Sequence, residues 1–159
     1  MTPAAAVSRE LLAAFADPAR FDALRPVMTL RTRVVQVHAV RRGEGVGYNA
    51  QYRATRDTRV ATLPIGYADG VPVSSSGRGQ VLIGARRFRI AGRVSMDYVS
   101  VDVESAPVAP GDEAVLFGVG PQGALPVEEA ADAAGTIPYE LLVRVGARVP
   151  RVYTDETPF

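Results

Sequence analysis

The chain has 159 residues, 47% hydrophobic and 22% charged, with a formal net charge of +1. That is enough for one domain with a substantial core, and it offers no bulk charge to attract nucleic acid. Cysteine is absent and His38 is the single histidine, which excludes disulfides, thiolate zinc sites, cysteine nucleophiles and multi-histidine metal centres. All 18 basic residues are arginine, so the chain has neither a Schiff-base lysine nor a P-loop lysine.

Residues 7–16 place Val7, Leu11, Leu12 and Phe15 at helical spacing and predict a short helix, interrupted by Asp17 and Pro18. From residue 26 the texture changes to short β-branched runs punctuated by glycine and proline. Residues 27–40 predict one long strand whose apolar parity changes at Val34-Val35, the mark of a bulge or of burial on both faces. Further strands are expected over 58–65, 80–83, 88–90, 94–103 and 113–117, with a hairpin turn at Gly84-Ala85. The serine- and glycine-rich stretch 74–79 reads as a mobile surface loop. A second helix is predicted over 127–134, with Pro126 at its start and Gly135 as its stop.

Together these predict a mainly β fold, barrel or sandwich, with small helical additions. The expected organisation is a helical N-terminal extension of unassigned role over 1–25 and a β domain over 26–159. No run approaches the roughly 18 to 20 apolar residues of a membrane span, and no secretory signal is apparent. A cytoplasmic protein without a membrane or nucleic-acid partner is the expectation.

Few residues suggest chemistry by themselves. His38 lies inside a strand pattern and reads as structural or partly exposed; Asp and Glu are scattered among turns. Gly43, Gly45 and Gly47 fall between strands rather than before a helix, so they read as turn residues and not as a phosphate cradle. Tyr48, Tyr67 and Tyr139 are more informative, because each sits beside glycine or proline where regular structure begins or ends. A loop tyrosine can present its phenol to a cleft; with an ordinary pKa of about 10, it needs a neighbouring cation to act as a base at neutral pH.

The same tyrosines lie within five ordered motifs. The run Val46-Gly47-Tyr48-Asn49-Ala50-Gln51-Tyr52 resembles the segment bearing the catalytic tyrosine of bacterial alanine racemases. It is followed by Ala61-Thr62-Leu63-Pro64-Ile65-Gly66-Tyr67-Ala68-Asp69-Gly70, Gly92-Arg93-Val94-Ser95-Met96-Asp97 and Thr136-Ile137-Pro138-Tyr139-Glu140. The ending Arg144-Val145-Gly146-Ala147-Arg148-Val149-Pro150-Arg151-Val152-Tyr153 is also similar to that family's. The resemblance covers about residues 26 to 153 and implies the family's C-terminal β domain, barrel-like, without the larger (β/α)₈ barrel that carries pyridoxal phosphate on a lysine.

The resemblance implies interconversion of L- and D-alanine, the latter for the cell wall, with two bases acting on opposite faces of the α-carbon. One is the barrel's lysine and the other a tyrosine of the partner subunit's C-terminal domain, the position of Tyr48. By the same resemblance Met96 offers its backbone N–H to the substrate carboxylate, and Tyr139 hydrogen-bonds the cofactor phosphate. Tyr67 lines the substrate access passage, and Asp97 shapes the loop beside Met96. Many members have arginine where this chain has Val73, and often cysteine where it has Ser95.

The expectation is therefore a half-site that needs a barrel, on another chain or segment, for catalysis with pyridoxal phosphate, in a homo-oligomer or hetero-assembly with no metal. An alternative is a non-catalytic binding module or decaying remnant of the fold, for which Val73 is the sequence support. A third reading is racemisation of another amino acid, such as serine. Surface that normally meets a barrel would be exposed, so self-association or a partner is expected.

Overall fold

The computed structural model describes residues 27–154, so the helix predicted over 7–16, and the whole of the extension predicted over 1–25, lie outside the described residues. Ten strands occur in chain order: β1 (Leu30–Arg33), β2 (Gln36–Val40), β3 (Gly45–Val46), β4 (Tyr52–Arg53), β5 (Thr58–Leu63), β6 (Gln80–Ile83), β7 (Arg86–Ile90), β8 (Val99–Asp102), β9 (Glu113–Gly120) and β10 (Gly123–Leu125). They are followed by helices α1 (Val127–Ala134) and α2 (Pro138–Arg144). Eight strands form one antiparallel sheet in the order β1-β9-β6-β7-β8-β5-β2, with β10 added to β9; β3 and β4 pair separately.

The sheet has to curl. β1 and β2 stand at opposite ends of its path, yet only Val34 and Val35 join them. The Val34 N–H donates to Asp112 O, just before β9, whereas the Val35 N–H donates to Thr62 O on β5. Two adjacent residues thus bond to opposite ends of the sheet, which bends it into a barrel-like curl. The single strand predicted over 27–40 is corrected to two: at the parity change the chain steps from one partner strand to another.

Residue parity sorts two apolar layers. Ala61 and Leu63 on β5, with Val99 and Val101 on β8, face the main core together with Val81, Ile83, Phe88, Ile90, Leu116 and Phe117. Val60, of opposite parity, belongs to a smaller cluster on the outer face with Val40, Val46, Ala54 and Ala91, against which Tyr52 packs. β5 is therefore buried on both faces, and the outer cluster seats the β3–β4 hairpin. A third small cluster, Leu82, Val115 and Leu125, lies beneath β10.

The 80–83 strand and the 127–134 helix occur with the predicted bounds, and Gly135 ends α1 at φ +69°, in the left-handed region that favours glycine. Val127, Ala130, Ala131 and Ala134 recur at helical spacing on the inward side of α1, and α2 buries Leu141 while Leu142 packs against the main core. The strand predicted over 94–103 begins only at Val99: the Ser95 N–H turns back to Tyr98 O, and 93–98 form a loop despite a buried Val94. The 74–79 stretch, expected as a surface loop, is hydrogen-bonded into the fold while Ser74 and Arg78 stay exposed. Ser75 is buried, the Ser74 hydroxyl donates to Ala134 O, and the Ser76 hydroxyl accepts from the Val94 N–H.

Candidate functional site

Antiparallel pairing of β5 with β8 places Leu63 opposite Val99, so the loop leaving β5 and the loop entering β8 emerge at the same end of the sheet. The first carries Tyr67 and the second Met96. They are bonded directly: Tyr67 N–H donates to Ser95 O at 2.9 Å and Ala68 N–H to Met96 O at 3.1 Å. Gly66 makes this approach possible, since a Cβ there would lie 2.3 Å from Met96 O and 2.4 Å from Ser95 O.

The β3–β4 hairpin joins from the other side. Gly92 has φ +85°, and a Cβ on it would lie 2.7 Å from Val46 O, so the hairpin and the start of the Met96 loop pack backbone to backbone. Tyr48 follows Gly47 in the turn of that hairpin, within a short 3₁₀ segment, Tyr48–Ala50. The side chains of Tyr48, Tyr67 and Met96 are 67%, 50% and 50% exposed.

α2 closes the group through its far end. Gly70, at φ +110°, lies so close to Arg144 that a Cβ would be 2.7 Å from its carbonyl oxygen. Tyr139 sits at the opposite end of α2, about 8 Å away along the axis, and is 76% exposed. The structure thus brings the loops of Tyr48, Tyr67, Met96 and Asp97 together by direct contact and ties Tyr139 to them only through a helix.

Two cross-links in this region escape the sequence reading. Arg148 Nη2 donates to Asp97 Oδ1 at 2.7 Å, and its Nε lies 3.3 Å from the buried Asp69, which accepts the Gly66 N–H at 2.9 Å. The hydrogen bond from Arg148 to Asp97 raises the proton affinity of the guanidinium, and the charge of Asp69 adds to the effect. The Tyr52 hydroxyl donates to Asp102 Oδ2 at 2.6 Å; burial, then this bond, push its pKa up to about 12. Burial acts to raise the Asp102 carboxyl. Hydrogen bonds from Thr58, Tyr52 and the Glu104 N–H, with the Arg56 charge, outweigh that and hold it below the ordinary carboxylate range.

No group of three or more potential metal ligands occurs among the described residues. His38 is exposed on β2, and Val73 starts a short 3₁₀ segment three residues after Gly70. Among the described residues no helix is long and apolar enough to cross a membrane.

The family described as "Alanine racemase, C-terminal domain" matches residues 27–153. The chain belongs to that family. It is 50% identical over 136 residues to the alanine racemase of Frankia casuarinae, covering 86% of this chain and 35% of that protein. The alanine racemase of Streptomyces coelicolor superposes with a TM-score of 0.81 at 46% identity, over 87% of this chain and 36% of that one. The biosynthetic alanine racemase of Pseudomonas aeruginosa gives 0.78 at 41% identity, over 96% and 39%. The chain therefore spans roughly a third of the length of the alanine racemases it matches, and the curled β architecture is that of their C-terminal domains.

Proposed function

We propose that this chain supplies one half of a composite alanine racemase site, with Tyr48 as the acid/base for one face of the α-carbon. A barrel half, on another segment or subunit, supplies the remainder. The observation that carries the reading is the locking of three loops at one end of the sheet with Tyr48, Tyr67 and Met96 left half exposed or more. Side chains fixed from beneath and open above are suited to meeting a second surface that excludes water.

Each residue then has a definite task. The Met96 N–H has no acceptor among the described residues and is free to donate to the substrate carboxylate. The Tyr48 phenol gives or takes the proton at the α-carbon, opposite a base from the barrel. Tyr67 lines the access passage. Asp97, already held by Arg148, fixes the Met96 loop.

Without lysine, this chain fits pyridoxal phosphate only as a contributor. The exposed phenol of Tyr139 would donate one hydrogen bond to the phosphate. When bound, the pyridoxal ring delocalises the charge left on the α-carbon. The assembly would act in the cytoplasm, supplying D-alanine for the cell wall.

The test is to combine the chain with the barrel half of a related racemase and pyridoxal phosphate, then follow loss of optical activity of L-alanine. Racemisation is expected, with Tyr48→Phe lowering kcat by about 10²- to 10⁴-fold. A soluble, assembled pair that stays inactive would overturn the reading and favour a non-catalytic module. A faster reaction with serine than with alanine would change the substrate.

A further inference from the structure

The turn that carries Tyr48 is held in an unfavourable shape. Gly47, Asn49 and Ala50 all have positive φ, at 71°, 57° and 48°, and two of the three are not glycine. Ala50 is pressed over Gly45, where a Cβ would lie 2.3 Å from its own. The hairpin ladder has two residue pairs, Gly45 with Arg53 and Val46 with Tyr52, extended at its open end only by the bonds of Gly43 N–H to Ala54 O and Ala54 N–H to Glu44 O. A two-stranded ribbon this short does not hold itself, still less a strained turn, so its geometry must be imposed from outside.

The apolar cluster beneath it supplies adhesion but little direction, because hydrophobic contact is non-directional. Direction comes from the hydroxyl of Tyr52, which donates to Asp102 Oδ2 at 2.6 Å. Asp102 lies on β8, opposite Val60 on β5 and Arg89 on β7, in the middle of the sheet. Its other oxygen accepts from the Thr58 hydroxyl and, at 3.0 Å, from the Glu104 N–H. The carboxylate is thus fixed by the sheet before Tyr52 reaches it.

We propose that Tyr52 and Asp102 are positioning residues whose hydrogen bond clamps the Tyr48 hairpin to β8 and sets the direction of the Tyr48 phenol. The clamp's catalytic consequence rests on the function proposed above; the clamp itself does not. Tyr52→Phe is the direct variant, since it keeps the ring in the outer cluster and leaves Asp102 its other donors, with Arg56 Nη2 at 3.9 Å. Thr58→Val is the second variant: it removes a bond that holds the same carboxylate while Tyr52 keeps its own, so its effect on the hairpin should be the same in kind and smaller.

The experiment reads the chain directly and then the assembled enzyme. Hydrogen exchange is measured at the Gly43 and Ala54 amides, which bond Ala54 O and Glu44 O across the hairpin's open end. A 3-fluorotyrosine at position 48 gives a fluorine resonance for the phenol. Tyr52→Phe is expected to speed exchange at both amides by about tenfold or more, with the β5–β8 amides unchanged. It should also move or broaden the fluorine signal, and Thr58→Val should do so to a lesser extent. In the assembled pair, kcat should fall by about 10- to 100-fold with KM for alanine held.

An unmoved fluorine signal and unchanged hairpin exchange in Tyr52→Phe would overturn the clamp whatever the activity. A moved signal with unchanged kcat in an active pair would overturn the positioning role. If the unsubstituted pair is inactive while Tyr52→Phe still moves the signal, the proposed function fails and the clamp stands.

Discussion

Arg148 Nη2 donates to Asp97 Oδ1 at 2.7 Å and thereby fastens the C-terminal segment to the loop that carries Met96. The same guanidinium reaches Asp69, so one arginine spans the Tyr67 and Met96 loops. Asp69 already accepts the Gly66 N–H, which makes the three segments one cross-linked unit.

Removing that bridge should therefore cost more than removing either carboxylate contact singly. Arg148→Met breaks both pairs and leaves the buried Asp69 without a counter-charge among the described residues, whereas Asp97→Asn breaks only the exposed one. In urea titrations the midpoint should fall further for Arg148→Met than for Asp97→Asn. High salt should narrow the gap, because it screens the pairs in the native protein. Equal midpoints would mean that the bridge is a surface ornament.

Gly66→Ala tests close approach rather than charge. The added methyl would lie 2.3 Å and 2.4 Å from two backbone carbonyl oxygens that are themselves hydrogen-bonded. Relief requires the Tyr67 and Met96 loops to separate, at a cost of about 1 to 3 kcal/mol. Gly43→Ala is the comparison: its φ is +87° but a Cβ there meets nothing within 4 Å, so only backbone strain of about 1 to 2 kcal/mol applies. Gly66→Ala should also shift the Met96 amide resonance, and Gly43→Ala should not.

The pattern of success in the sequence has a physical basis. The 80–83 strand is legible as a short apolar run bounded by Gly79 and Gly84, and the 127–134 helix as apolar residues at helical spacing bounded by Pro126 and Gly135. β3 and β4 have two residues each, too few for a period, and α2 places only Leu141 among its buried residues. The 93–98 loop is hidden inside an apolar run because Val94 is buried although it belongs to no strand. Loop tyrosines stand out beside glycine and proline, so Tyr48, Tyr67 and Tyr139 could be singled out. The pairs Tyr52–Asp102 and Arg148–Asp97 could not: their partners are 50 and 51 residues apart, and no local pattern joins them.

The Tyr52–Asp102 bond also predicts a pH dependence at the alkaline end. The folded-state pKa of Tyr52 is raised from 10.0 to about 12, so between those values the unfolded chain has lost a proton that the folded chain keeps. Stability from this group is fully present below pH 10 and declines as pH rises toward 12. Tyr52→Phe should lack that part of the alkaline decline, and the difference curve between variant and parent isolates it from the other tyrosines. Asp102 behaves oppositely: its lowered pKa means that its stabilisation is lost on acidification below the ordinary carboxylate value.

The final prediction separates surface that holds the fold from surface held out to a partner. Leu63 is fully buried in the main core, and Leu63→Ala should cost about 2 to 5 kcal/mol through lost burial and a residual cavity. Val143 and Ile137 are 80% and 60% exposed, on and beside the helix that carries Tyr139, so they contribute little to the chain's own core. Val143→Ser should leave the unfolding midpoint of the isolated chain nearly unchanged. If the exposed side of α2 meets the barrel half, the same substitution should weaken assembly, seen as a higher dissociation constant in sedimentation or calorimetry. A variant that loses stability but not affinity would place Val143 in the fold and remove α2 from the interface.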